Sequence, residues 1–147
     1  MAAVKQIPEG YHAVTPYLNI NGAEKVIDFA KKTFGAEEKF RMPLPDGRIA
    51  HAELRIADST VMVSDAIEFP PQPGSLYVYV PDVDSAYKRG IAAGGKSQRP
   101  PEDKFYGDRS ASVIDPSGNI WSIATHKEDV PPPEIEKRAR AEMSKKR

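Results

Sequence analysis

From residue 13 to residue 20 the chain alternates, with Tyr17 and Asn19 on one face of an extended segment and Leu18 and Ile20 on the other. Asn21-Gly22 turns the chain. The period then becomes helical: Val26, Ile27, Ala30 and Phe34 share one side of a helix predicted over 23–33, and Gly35 is placed to end it. A short strand over 38–42 stops at Pro43-Leu44-Pro45-Asp46-Gly47. A longer strand follows over 48–56, Ala57-Asp58 turns it, and 60–64 is a last strand. This order, βαβββ, occurs twice. Tyr17-Leu18-Asn19-Ile20 returns sixty residues later as Tyr77-Val78-Tyr79-Val80, Phe34-Gly35-Ala36 as Gly94-Gly95-Lys96, and Ser59 to Val63 as Asn119 to Ile123. In the second copy a strand is predicted over 76–80, a helix over 84–93, strands over 110–114 and 119–125, and a loop at Arg99-Pro100-Pro101 with only a weak second strand around Gln98.

The organisation follows from what interrupts the pattern. Residues 1–11 have little periodicity and form an N-terminal arm; modules at 13–66 and 75–126 flank a Pro-rich linker over 67–74 that neither a helix nor a central strand tolerates. Residues 128–147 contain Pro131-Pro132-Pro133, carry six basic and three acidic side chains after them, and read as a mobile, partly helical tail.

Composition narrows the partners. The 147 residues balance 21 Lys and Arg against 21 Asp and Glu, which leaves no electrostatic footprint for nucleic acid or an anionic membrane. The absence of cysteine removes disulfides, thiolate metal sites and cysteine nucleophiles. No apolar run approaches the ~20 residues of a membrane span, and the first residues carry no apolar stretch of secretory type. A soluble cytoplasmic protein is expected.

Four motifs in order, Thr15-Pro16-Tyr17-Leu18, Phe34-Gly35-Ala36-Glu37-Glu38, Asp46-Gly47-Arg48-Ile49-Ala50-His51-Ala52-Glu53-Leu54 and Asp115-Pro116-Ser117-Gly118-Asn119, resemble the PhnB-like branch of the vicinal oxygen chelate superfamily. That superfamily includes glyoxalase I, bleomycin-resistance proteins and extradiol dioxygenases, and the resemblance covers residues 12–127. It implies an α+β fold in which tandem βαβββ modules form a curved mixed sheet with helices outside. It also implies a homodimer. Metal-dependent members resemble one another in four ligand positions, on the first and last strand of each module. Through the internal repeat these fall on Thr15, Met62, Ser75 and Ser122, none of which offers imidazole, carboxylate or thiolate. A slip of one residue reaches only Val14, Pro16, Val61, Val63, Gly74, Leu76, Trp121 and Ile123. No metal and no cofactor are therefore expected.

Strand parity indicates what lines the concave side. Tyr17 and Asn19, and by the repeat Tyr77 and Tyr79, face it, as do Ile49, His51, Glu53 and Arg55 on the long strand, with Arg109 on the matching strand. Ala50, Ala52, Leu54 and Ile56 suit the helix side, and the last strands add Met62, Ser64, Ser122 and Ala124 to the cavity. Trp121 alternates onto the helix side as core. Arg109 either clamps an anionic ligand or pairs with Asp108 or Glu53. His51-Ala52-Glu53 has three readings: a structural network with Arg55 or Arg109, the polar end of a ligand site, or a general base with its partner. The corresponding functions are a metal-free protein holding a small organic ligand in a Tyr-lined cavity, as bleomycin-resistance relatives do; a non-classical isomerase, lyase or hydrolase using His51 and Glu53; and a dimeric structural or regulatory module.

Overall fold

Each half of the chain closes a sheet in the same order. The computed structural model describes residues 3–146, so Met1 of the arm, its neighbour Ala2, and Arg147 of the tail lie outside the described residues. The first half runs β1 (Tyr17–Ile20), α1 (Ala23–Phe34), β2 (Glu37–Pro43), β3 (Ile49–Ile56) and β4 (Ser59–Asp65). The second runs β5 (Ser75–Tyr79), α2 (Val83–Ala92), β6 (Lys96–Asp103), β7 (Asp108–Ile114) and β8 (Ile120–His126), with α3 (Pro132–Lys145) following. The strands form two four-stranded mixed sheets, β1-β4-β3-β2 and β5-β8-β7-β6, with β1 parallel to β4 and β5 parallel to β8. The doubled α+β architecture expected from the periodicity is present, each module contributing its own sheet.

The helices bury their apolar stripes on one side of the sheets. Val26, Ile27, Phe29 and Ala30 of α1 are fully enclosed with Leu18, Ile20, Ala52, Leu54 and Val63, an arrangement driven by removal of apolar area from water. Glycine-bounded α1 has no N-cap side chain of its own; Asp65, at the end of β4, accepts from Gly22 N and Ala23 N, both at 3.0 Å, and from Ile49 N at 2.7 Å. The core also crosses between modules. Trp121 of β8 packs its ring against Phe29 and Phe34 of α1, centroids 6.0 and 5.2 Å away. Arg89 Nε of α2 donates to the carbonyl of Thr33 at 3.1 Å. Trp121 is core, as its alternation predicted.

Several local readings are corrected. Arg99-Pro100-Pro101 is strand, not loop: β6 is an edge strand whose pairing with β7 shifts between Ser97 and Arg99 and again between Arg99 and Glu102, and an irregular edge is where prolines fit. On β3 the expected faces of Ile49 and Ala50 are reversed. Consecutive Met42 and Pro43 of β2 pair with His51 and Ile49, so Ala50 is the extra residue of a bulge in β3 that carries Ile49 into the core, 2 % exposed, and leaves Ala50 at the open face. The charged tail is helical over most of its length, but no residue of α3 is buried. Arg138 holds it, donating to Glu128 Oε1 at 2.7 Å and to the carbonyl of Phe105 at 3.2 Å. Among the described residues no helix is long and apolar enough to cross a membrane.

Candidate functional site

Register builds the open face of the first sheet. Tyr17 pairs with Met62, Met62 with Glu53, and Glu53 with Phe40, so these side chains leave the sheet on one side. Asn19 and Ser64 form the next pair on the same face. The Tyr17 hydroxyl donates to Ser64 Oγ at 3.2 Å, and Ser64 points on to Asn19 Oδ1 at 3.5 Å. His51 Nε2 lies 3.0 Å from Glu53 Oε2, both side chains mostly covered. The imidazole sits between the rings of Tyr17 and Phe40, at centroid distances of 5.9 and 6.1 Å. With the proton on Nε2 shared toward Glu53, Nδ1 is left as an acceptor, and it has no partner among the described residues.

The linker converts this face into a cleft. Asn19 Nδ2 donates to the carbonyls of Phe69 and Pro70 at 3.4 and 3.1 Å, and Gln72 N donates to the Asn19 carbonyl at 2.8 Å. The far end of the strap is fixed by the second module, where Gly74 N donates to the buried Asn119 Oδ1 at 2.8 Å. Between strap and sheet lies a cleft of about 810 Å³, with Tyr17, Asn19, Ser64, Glu68, Phe69 and Gln72 among its walls. That volume suits a small organic ligand. Asn19→Ala removes the strap's side-chain anchor while the Gln72 bond survives. We expect a loss of about 1 kcal/mol in urea denaturation and faster amide hydrogen exchange confined to residues 67–74.

The open face of the second sheet is organised around a residue that strand parity missed. Asp108 is 5 % exposed and accepts from the hydroxyls of Tyr77 and Tyr79 at 2.7 and 2.9 Å, while His126 Nδ1 lies 2.8 Å from its other oxygen. Nε2 of His126 meets Asp129 Oδ1 at 2.7 Å. Burial pushes the Asp108 carboxyl up, but the bonds from His126, Tyr77 and Tyr79 together hold it below the usual carboxylate value. Burial and the bond to Asp108 push the Tyr77 phenol up. His126 is raised by its bonds to Asp108 and then to Asp129. An imidazole between two carboxylates satisfies both only as the doubly protonated cation.

The predicted site residues thus divide. Tyr17, Asn19, His51 and Glu53 are brought together at the first face. Tyr77 and Tyr79 stand at the second, bound to Asp108, and do not line the strapped cleft. Arg55 turns to the rim, where it donates to the carbonyls of Ala57 at 3.0 Å and Gly10 at 3.2 Å; it pins the arm and makes no hydrogen bond or ion pair with His51 or Glu53. Arg109 is corrected outright: it lies on the helix side of β7, paired with Asp84 of α2 at 2.9 Å and with Asp103 at 3.3 Å, not with Asp108 or Glu53. The cause is register. Met62 and Ser122 correspond at an offset of sixty, but they pair with Glu53 and Ser112, which are fifty-nine apart, and a slip of one residue inverts a strand. The apolar alternation of Ala111 and Val113 carries that signal, since it places Arg109 with them. The strap's contribution, Phe69 and Gln72, was hidden because a linker has no periodicity to read.

Residues 11–123 match the family described as the Glyoxalase/Bleomycin resistance protein/Dioxygenase superfamily. The chain belongs to this superfamily. An uncharacterized protein of Mycobacterium bovis is 35 % identical over 139 residues, covering 84 % of this chain and 90 % of that protein. Protein YjdN of Escherichia coli is 29 % identical over 136 residues, covering 75 % of this chain and 92 % of its own. Among solved structures, TioX from Micromonospora sp. ML1 is similar with a TM-score of 0.67 and 27 % identity, over 78 % of this chain and 98 % of that one. A glyoxalase-related enzyme from Fulvimarina pelagi shares the fold, with a TM-score of 0.63, 22 % identity, and coverage of 78 % and 87 %.

Some superfamily members use a metal, and the side chains at the positions corresponding to its ligands do not fit one. Met62 and Ser122 stand beside Tyr17 and Tyr77 in the two parallel strand pairs, and Thr15 Oγ1 is spent on the carbonyl of His12 at 3.2 Å. Among the described residues no three His, Cys, Asp or Glu side chains converge where an ion could be held.

Proposed function

We propose that this chain is a small-molecule-binding protein of the superfamily, holding its ligand without a metal in the cleft between the first sheet and the strap. The observation that carries this reading is the cleft itself: about 810 Å³, walled by Tyr17 and Phe69 with a few convergent polar groups. Its polar end is Asn19 and Ser64, while the pair of His51 with Glu53 lies beyond the Tyr17 ring and does not line the cleft. A PhnB-like placement within the superfamily rests on the four ordered sequence motifs, from Thr15-Pro16-Tyr17-Leu18 to Asp115-Pro116-Ser117-Gly118-Asn119. The test is a thermal-shift screen of a chemically broad library at millimolar concentration. A ligand at a hundred times its Kd adds about 2.7 kcal/mol, which for a chain of this size raises Tm by roughly 5–10 °C. Hits are expected to lose that shift in Phe69→Ala. A library without a single stabilising compound would remove the reading's support.

A second reading has its own observation, the 3.0 Å contact between His51 Nε2 and Glu53 Oε2 at the edge of the same face. In a non-classical enzyme of isomerase, lyase or hydrolase type, Glu53 would fix the imidazole tautomer and His51 Nδ1 would move the proton. His51→Ala then costs about 10²-fold or more in turnover of any substrate found, whereas an unchanged rate limits the pair to binding. As a homodimer, two copies would cover the exposed rings of the second face, where Tyr77 and Tyr79 are 46 % and 57 % exposed. Light scattering at the mass of a monomer would contradict that assembly.

A further inference from the structure

Resting on the reading that the strapped cleft is a ligand site, we propose that its ligand is a planar aromatic cation. The walls supply rings and acceptors but no positive charge. Neither Lys nor Arg lines the cleft, and its only charged lining groups are Asp65 and Glu68. Those two carboxylates are not equivalent. Asp65 is consumed by the fold, since its oxygens accept from Gly22 N, Ala23 N and Ile49 N. Arg48, the basic side chain close enough to act on Asp65, is itself paired with Asp46 at 2.9 Å.

Glu68 is different. It has no hydrogen bond and no ion pair among the described residues, and it stands on the strap next to Phe69, whose ring is 66 % exposed at the cleft. Tyr17 faces the cleft from the sheet, 51 % exposed. Its hydroxyl is turned to Ser64, so the ring face is the part free to receive a ligand. Aromatic faces and a free carboxylate attract a flat cation and repel an anion of the same shape. Asn19 fits the same sign. Asn19 spends its amide hydrogens on the strap and keeps Oδ1 toward Ser64, so what it offers a ligand is an acceptor. A ligand that donates is therefore matched, and one that carries a carboxylate or phosphonate meets unpaired negative charge.

Two dyes of the same tricyclic shape and opposite charge separate these cases: 9-aminoacridine, a cation near neutral pH, and acridine-9-carboxylate, an anion. Fluorescence titration of the full chain is expected to give at least about ten-fold tighter binding of the cation. Glu68→Gln should bring the two dyes to similar affinity, Phe69→Ala should weaken the cation, and Glu136→Gln, an exposed carboxylate on α3, should change nothing. Added salt should weaken the cation in the parent protein more than in Glu68→Gln. If the anion binds as well or better and Phe69→Ala still weakens it, the charge assignment is overturned while the cleft stands as a ligand site. Failure of the cation to bind, or binding that ignores both Glu68→Gln and Phe69→Ala, overturns the proposal as well. The broad thermal-shift screen then decides separately whether the cleft holds any ligand.

Discussion

Replacing Trp121 with alanine is expected to cost about 3–5 kcal/mol, the range for emptying a fully buried aromatic position. The side chain is 0 % exposed and lies against Phe29 and Phe34, so a large cavity opens between the modules. Its Nε1 also donates to Asp115 Oδ2 at 2.8 Å, and Asp115 is only 4 % exposed. Asp115 keeps Ser117 N, Asn119 N and Asn119 Nδ2 at 2.8, 3.0 and 2.8 Å, so the carboxylate is not orphaned. The cavity term therefore dominates. Trp121→Phe keeps most of the packing and removes the hydrogen bond, and about 1–3 kcal/mol is expected for it. Urea denaturation followed by circular dichroism measures both. Because α1 of the first module packs on β8 of the second, the parent should unfold in one transition seen alike by circular dichroism and by its single tryptophan. Separate transitions, or a loss under 1 kcal/mol in Trp121→Ala, would contradict a shared core.

The second large effect belongs to Asp108. Asp108→Ala leaves the hydroxyls of Tyr77 and Tyr79 and one nitrogen of His126 without their common acceptor, and about 2–3 kcal/mol is expected. The cluster also sets a pH dependence of definite sign. His126 is raised in the folded chain, so its contribution is complete below the ordinary value of 6.5 and is lost as pH rises through the higher folded value. Asp108 is lowered, so its contribution is complete above the ordinary value of 3.8 and is lost as pH falls through the lower folded value. Between those two ordinary values both are present in full. Stability from this cluster should thus decline on the alkaline side; His126→Gln should flatten that decline and, because the His126 bond helps hold the Asp108 carboxyl down, should also weaken the loss on the acid side. Denaturant midpoints from pH 4 to pH 9 check it. A parent and a His126→Gln variant with parallel profiles would show that His126 does not bridge Asp108 and Asp129 in solution.

The scaffold was legible because its signals are periodic. The strand–helix switch at Asn21-Gly22, the return of Tyr17-Leu18-Asn19-Ile20 as Tyr77-Val78-Tyr79-Val80, and the inward alternation of Trp121 each correspond to elements found in place. The errors share a physical origin: parity survives only while register does. The bulge beside Pro43 inverted Ile49 and Ala50, and the one-residue difference between the third strands inverted Arg109. Asp108 falls outside the strand predicted over 110–114, although it is the first residue of β7 and its side chain is the hub of the second face. The strap was legible as a break in structure but not as a wall, since nothing local specifies that Asn19 captures the carbonyls of Phe69 and Pro70. Of the candidate site, the His51–Glu53 pair was legible because both lie on one strand two residues apart, a spacing that places them on the same face.

The claim that the first face and the strap form a ligand site is tested most directly by amide correlation spectra of the isotopically labelled chain, recorded during titration with fragments and with 9-aminoacridine. Binding in the cleft should move the side-chain amides of Asn19 and Gln72 and the backbone amide of Gly74, all of which line it. Shifts that gather instead around Asp108 and Tyr79, or a library that moves no amide at millimolar concentration, would contradict it.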